Sequence, residues 1–171
     1  SAEQIDELGL DPSTPVAYLT QTTLSVDDTL NVVESLRDRF TDISGPRSDD
    51  ICYATQNRQV AVKEIAAKSD LVIVVGSSNS SNSVRLVEVA LEAGAKTAYR
   101  IDDVSEFDRS WLDGVERVGV TSGASVPDDL VQDVLAYLAE NGHPDADAVR
   151  TADESLTFAL PPELRRDLKH A

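Results

Sequence analysis

Hydrophobic residues along this chain alternate between short unbroken runs and stripes at helical spacing. The clearest run is Leu71-Val72-Ile73-Val74-Val75, all apolar and β-rich, which predicts a strand buried on both faces. A polar loop follows it, then a helix to about Ala93 that closes at Gly94. The same order recurs three times. Pro15-Val16-Ala17-Tyr18-Leu19 reads as a short buried strand, and Val26, Leu30, Val33, Leu36 and Phe40 mark one face of the helix after it. Lys96-Thr97-Ala98-Tyr99-Arg100-Ile101 reads as a strand, leading to a short helix from Glu106 to Leu112 with Phe107 and Trp111 four residues apart. Residues 115–120 read as a strand, and Leu130, Val131, Val134, Leu135 and Leu138 as the buried side of a final helix that stops at Asn141-Gly142. Ser25-Val26-Asp27-Asp28 and Ser125-Val126-Pro127-Asp128 each have the capping-box pattern, a hydroxyl with a carboxylate three residues on.

The remaining segments fill in around this frame. Residues 1–14 are acidic and weakly periodic, with one turn of helix at 4–8, and Thr41-Asp42-Ile43-Ser44 predicts a short edge strand before the Gly45-Pro46 turn. Asp49-Asp50-Ile51-Cys52-Tyr53-Ala54-Thr55 is too mixed for a core strand and reads as a loop entering a helix that shows Val60, Val62, Ile65 and Ala66. After residue 142 the pattern changes to a polar connector, a strand-like Leu156-Thr157-Phe158-Ala159-Leu160, the break Pro161-Pro162 and a charged helical turn. With no core of its own, this tail is expected to pack against another surface. Strands alternating with helices predict an α/β fold, parallel sheets flanked by helices. One small αβα lobe is complete, part of a second precedes it, and a C-terminal tail follows. The predicted divisions are 1–48, 49–141 and 142–171.

Ligands of parallel sheets bind at the carboxyl ends of the strands, and three hydroxyl-rich loops fall there. Between Ser77 and Ser83 lie five Ser and two Asn. Thr20-Gln21-Thr22-Thr23-Leu24-Ser25 follows the first strand, and Thr121-Ser122-Gly123-Ala124-Ser125 follows the last. Hydroxyls, amides and the unpaired N–H groups of a helix start suit a compact anion such as phosphate. Neither GxGxxG nor GxxxxGK[ST] is present, which lowers the case for a nucleotide enzyme. Cys52, at a helix start, is read as either a nucleophile or a metal ligand. The histidines, His143 and His170, lie near or within the tail, so a Cys/His or Ser/His/Asp hydrolase is disfavoured.

Composition narrows the field. The 171 residues carry a net charge of −16, which argues against a nucleic-acid surface. No apolar run approaches the roughly 20 residues that span a bilayer, and no signal-peptide pattern is present, so a cytoplasmic location is expected. One cysteine leaves no internal disulfide. The chain begins Ser1-Ala2 and contains no Met, which reads as the carboxyl-terminal part of a longer protein.

Four segments carry a resemblance: TQTTLSVDDT (20–29), DDICYATQNRQ (49–59), GSSNSSNSVRL (76–86) and GVTSGASVPD (119–128). In that order they are similar to the signature segments of the LytB family of 4-hydroxy-3-methylbut-2-enyl diphosphate reductases, and PPELRR (161–166) resembles the family's end. The resemblance covers about the carboxyl-terminal half of such an enzyme. It implies three α/β lobes around a 4Fe–4S cluster, each lobe giving one Cys, with Cys52 as the third metal ligand. It further implies that Thr22, Ser80, Ser81, Asn82 and Ser125 bind the substrate's diphosphate and hydroxyl ends, and that Thr55 faces the substrate. The implied reaction is reductive removal of the allylic hydroxyl, giving isopentenyl and dimethylallyl diphosphate, with ferredoxin or flavodoxin as electron donor. The proton-donating Glu, two Cys and the substrate-binding His residues of the family would lie in a first half absent here. Alone, this chain is therefore expected to lack activity and an intact cluster. Residues 1–48 are expected to need that half, or a second copy, for support. The alternative is a stand-alone anion- or diphosphate-binding module without redox activity; a thiol-dependent transferase centred on Cys52 ranks third. No cationic or His-rich loop is evident to offset a diphosphate's charge.

Overall fold

The computed structural model of the chain describes residues 3–46 and 51–151. Its order is α1 (Gln4–Glu7), β1 (Val16–Ala17), α2 (Val26–Arg39), β2 (Ile43–Ser44), α3 (Tyr53–Ala66), β3 (Leu71–Val75), α4 (Ser81–Glu92), β4 (Thr97–Ile101), two 3-10 turns (Val104–Glu106 and Arg109–Leu112), β5 (Val118–Ser122) and α5 (Asp128–Glu140). Two parallel sheets result, β1-β2 and β4-β3-β5. The fold is the expected α/β arrangement of parallel sheets flanked by helices.

β3 is the axis of the larger sheet, with its five residues fully buried. Successive strand side chains point to opposite faces, so the run divides between two cores. Val72 and Val74 pack with Val62 and Ala66 of α3 and Leu86, Val89 and Ala90 of α4. Leu71, Ile73 and Val75 pack with Ile101, Phe107, and Val134 and Leu138 of α5. The helices therefore cover both faces, as parallel sheets require. On the second face the Trp111 ring stacks on Tyr99 at 4.1 Å and tilts against Phe107 at 5.3 Å.

The back of this sheet is pinned by Asp70. Its carboxylate takes the Lys96 ammonium at 2.6 Å and the backbone N–H groups of Glu116 and Arg117 at 3.1 Å each. Its own N–H donates to Arg117 O, and its carbonyl accepts from Thr97 N–H. One residue thereby ties the amino ends of all three strands.

Several sequence expectations are corrected. The first strand is two residues long and half-exposed, and Leu19 beyond it is 88% exposed. A two-stranded sheet has too little neighbouring surface to bury it. Leu30 on α2 and Val60 on α3 also face outward, so each helix buries a narrower stripe than the pattern predicts. The helix expected at 106–112 is two 3-10 turns, each capped by an Asp carboxylate (Asp103 and Asp108) that accepts an N–H two residues on. The final strand is shifted to 118–122. At α2 the hydroxyl half of the first capping box is found, with Ser25 Oγ accepting from Asp28 N–H, while the Asp28 carboxylate faces Arg85. At α5 it is not: Pro127 is the N-cap and no side chain caps the helix. Proline at that entry already has the extended backbone a cap requires and no N–H to satisfy. The strand-like and charged segments expected beyond 151, and Asp49 and Asp50, lie outside the described residues.

Candidate functional site

β3 and β5 run parallel with Val75 opposite Ser122, so the loops that leave them start side by side. Gly123 N–H donates to Val75 O at 2.9 Å, and Gly76 N–H to Ile101 O at 2.8 Å. Between the two glycines sits Ser83 on the first turn of α4. A methyl group at either glycine would come within 2.3 Å of Ser83 Oγ. Two hydrogens in place of side chains thus let the α4 start descend against both strand ends.

Ser80 is the N-cap of α4: its Oγ accepts from Ser83 N–H and lies 3.1 Å from Ser83 Oγ. Ser81 opens the helix and is exposed, as is Ser125 in the loop after β5. Asn82 differs from both. It is 6% exposed, and neither its amide oxygen nor its amide nitrogen finds a partner among the described residues. Buried polar atoms are rarely left unmatched, because each costs about 1–3 kcal/mol. The Nδ2 donors, held unpaired at a helix N-terminus where N–H groups and dipole converge, suit an anionic oxygen, while Oδ1 needs a donor such as a ligand hydroxyl.

The third loop meets the thiol. Cys52 is the N-cap of α3, free and exposed. Its N–H donates to Thr22 O at 3.1 Å, and its carbonyl accepts from Thr55 N–H and Gln56 N–H. Thr55 lies buried one turn inside the helix. The structure therefore brings Thr22, Cys52 and Thr55 to one helix start, and Ser80, Asn82 and Ser125 to the adjoining strand ends. Arg58 joins the groups: its Nε donates to Ser122 O at 3.1 Å. His143 stands past the far end of α5, at the opposite edge of the sheet from the loops, and does not pair with Cys52.

Three contributors escape sequence reading. Gln59, 1% exposed, donates to Leu24 O at 2.8 Å and accepts from Val26 N–H at 3.0 Å. Its one signal is a polar residue on the stripe Thr55, Gln59, Val62, Ala66, where an apolar side chain is expected. Arg58 supplies a half-buried cation at the end of β5 that no loop composition announces. Ser83 appears in sequence as one hydroxyl of five, and only the flanking glycines reveal its place.

Three hydroxyl-bearing loops at the carboxyl edges of parallel sheets, one of them bonded to the residue that carries an exposed thiol, define the chain as an α/β protein of parallel sheets. Residues 1–139 match the LytB protein family, and the chain belongs to it. It is similar to the 4-hydroxy-3-methylbut-2-enyl diphosphate reductases of Leifsonia xyli subsp. xyli (61% identity, 98% of this chain, 50% of that protein) and Acidothermus cellulolyticus (67% identity, 93% and 46%). Its fold is similar to the solved E-1-hydroxy-2-methyl-but-2-enyl-4-diphosphate reductase of Plasmodium falciparum, with a TM-score of 0.84 at 32% identity over 98% of this chain and 53% of that one. The chain spans about half the length of the curated relatives it matches.

Proposed function

We propose that this chain is the carboxyl-terminal half of a cytoplasmic 4-hydroxy-3-methylbut-2-enyl diphosphate reductase. Residues 1–48 close its second lobe, 49–141 form the third, and 142–171 are a tail. The observation that carries the reading is the Cys52 N–H···O=C Thr22 bond, which seats the thiol-bearing residue against one hydroxyl loop while Arg58 of α3 reaches the end of β5, where another begins. In this reading the loops take the diphosphate: Ser80, Ser81 and Asn82 through hydroxyl, amide and α4 N–H groups, with Thr22 and Ser125 closing from either side. Thr55, one turn from Cys52, faces the allylic end.

Loss of the hydroxyl as water takes up two electrons and two protons per C–O bond replaced by C–H. The chemistry of a 4Fe–4S cluster, when bound, supplies the electrons and a Lewis-acidic iron for the departing oxygen. The donor set here fits such a cluster in part. Cys52 is a free thiol at a positive helix end, while among the described residues no three His, Cys, Asp or Glu gather as a metal set. Cys52 therefore contributes one ligand, and the other half of the protein contributes the rest together with the proton donor. Ferredoxin or flavodoxin is the proposed electron source, with the two electrons delivered in successive one-electron transfers.

The test is to join this chain to the other half of the family's length and assay anaerobic reduction of the allylic diphosphate. Turnover that disappears in Cys52→Ser, with iron content falling alongside, supports the reading. Pyrophosphate binding that survives Cys52→Ser, with no turnover in the joined protein, replaces it with a non-redox anion-binding module.

A further inference from the structure

α3 carries the thiol, yet its most buried polar side chain points at a different segment. The Gln59 amide spans Ser25, donating to Leu24 O at 2.8 Å on one side and accepting Val26 N–H at 3.0 Å on the other. These are the two contacts that a neighbouring strand's peptide would make, supplied here by a side chain. Val26 N–H is also one of the α2 amides left without a helical partner. Ser25 Oγ serves Asp28 N–H, so Gln59 and Ser25 together complete that helix start. On the outer side of the same turn, Arg58 reaches Ser122 O at the end of β5.

From this geometry we infer that Gln59 is a positioning residue. It fixes the Thr22 loop onto α3 and so sets the place of Thr22 relative to the Cys52 thiol. The inference rests on the reductase reading for its catalytic consequence and on geometry alone for the clamp. Thr22 touches α3 through a single described hydrogen bond, from Cys52 N–H, which leaves from the very end of the helix. One bond at a helix terminus orients a loop poorly, because it leaves rotation about itself free. Gln59 adds a second attachment point two turns along the same helix. Two points define a line, and the loop loses its swing.

The test follows amide exchange residue by residue in this chain by NMR. Gln59→Leu keeps the volume and removes both contacts. Gln59→Glu keeps the acceptor for Val26 N–H but sets a carboxylate against Leu24 O, and serves if the first variant fails to fold. Exchange at Cys52 is expected to quicken roughly tenfold or more in either variant, and at Val26 in Gln59→Leu, with Ile73 and Val74 in β3 unchanged. Equal acceleration in β3 would make Gln59 a plain core residue and overturn the clamp, as would no change at Cys52. In the joined reductase, Gln59→Glu is expected to raise KM for the allylic diphosphate several-fold with the iron content intact. An unchanged KM overturns the positioning role. If the unsubstituted joined protein shows no turnover, the reductase reading falls, and the exchange data still decide the clamp.

Discussion

Asn82 is held where no described hydrogen bond uses its amide. Both polar atoms are buried without partners among the described residues, so replacing them removes a desolvation cost and no internal hydrogen bond. Asn82→Leu is therefore expected to melt within a few degrees of the parent, or above it. Its affinity for inorganic pyrophosphate is expected to fall about tenfold or more, measured by titration calorimetry. A large drop in melting temperature would show that the amide is structural. Ser83 makes the opposite case, a small residue fixed by its neighbours. Gly123→Ala puts a methyl 2.3 Å from Ser83 Oγ but 3.6 Å from Ser83 Cβ. Such overpacking costs about 1–3 kcal/mol, and adding Ser83→Ala should recover most of it in urea denaturation. Gly76→Ala should not recover, because its methyl still meets Ser83 Cβ at 3.0 Å and its φ is +151°.

At the level of elements, the larger sheet has one pinned end and one open end. Hydrogen bonds from Lys96, Arg117 and Glu116 lower the Asp70 carboxyl from its ordinary 3.8 to about 2. A depressed folded-state value stabilises the fold above the unfolded one and is lost as pH falls through the folded one. The contribution is therefore complete above about pH 4 and disappears toward about pH 2. In Asp70→Asn, urea midpoints followed across this range should fall less steeply than in the parent. Much of this architecture is legible in sequence. LVIVV followed by Ser and Asn predicts β3, its loop and the α4 start, since strand, turn and cap signals agree within one short stretch. The Ser125 cap predicted from sequence is absent because Pro127 satisfies the same entry geometry by a different route. Gln59 was invisible for another reason. Its partners lie 33 and 35 residues away, and no local pattern encodes a contact made across two sheets.

The whole molecule sets a charge of −16 against the proposed diphosphate site. Long-range repulsion opposes the ligand while short contacts hold it. Raising ionic strength from about 0.01 to about 0.15 M shortens the Debye length from roughly 30 to 8 Å. Pyrophosphate affinity should accordingly rise over that range, opposite to the salt dependence of a site that holds phosphate by net positive charge. No helix among the described residues is long and apolar enough to cross a membrane. The exposed Leu19 and Leu30 instead mark where the short β1-β2 sheet lacks cover. The interlock of Gly76, Ser83 and Gly123 also constrains history. A lineage that enlarges position 123 loses less stability if position 83 has already shrunk, since the reverse order passes through a strained ancestor. Alanine at 123 should thus be favoured where 83 is alanine or glycine, while position 76, with φ +151° and Ser83 Cβ 3.0 Å from an added methyl, should favour glycine.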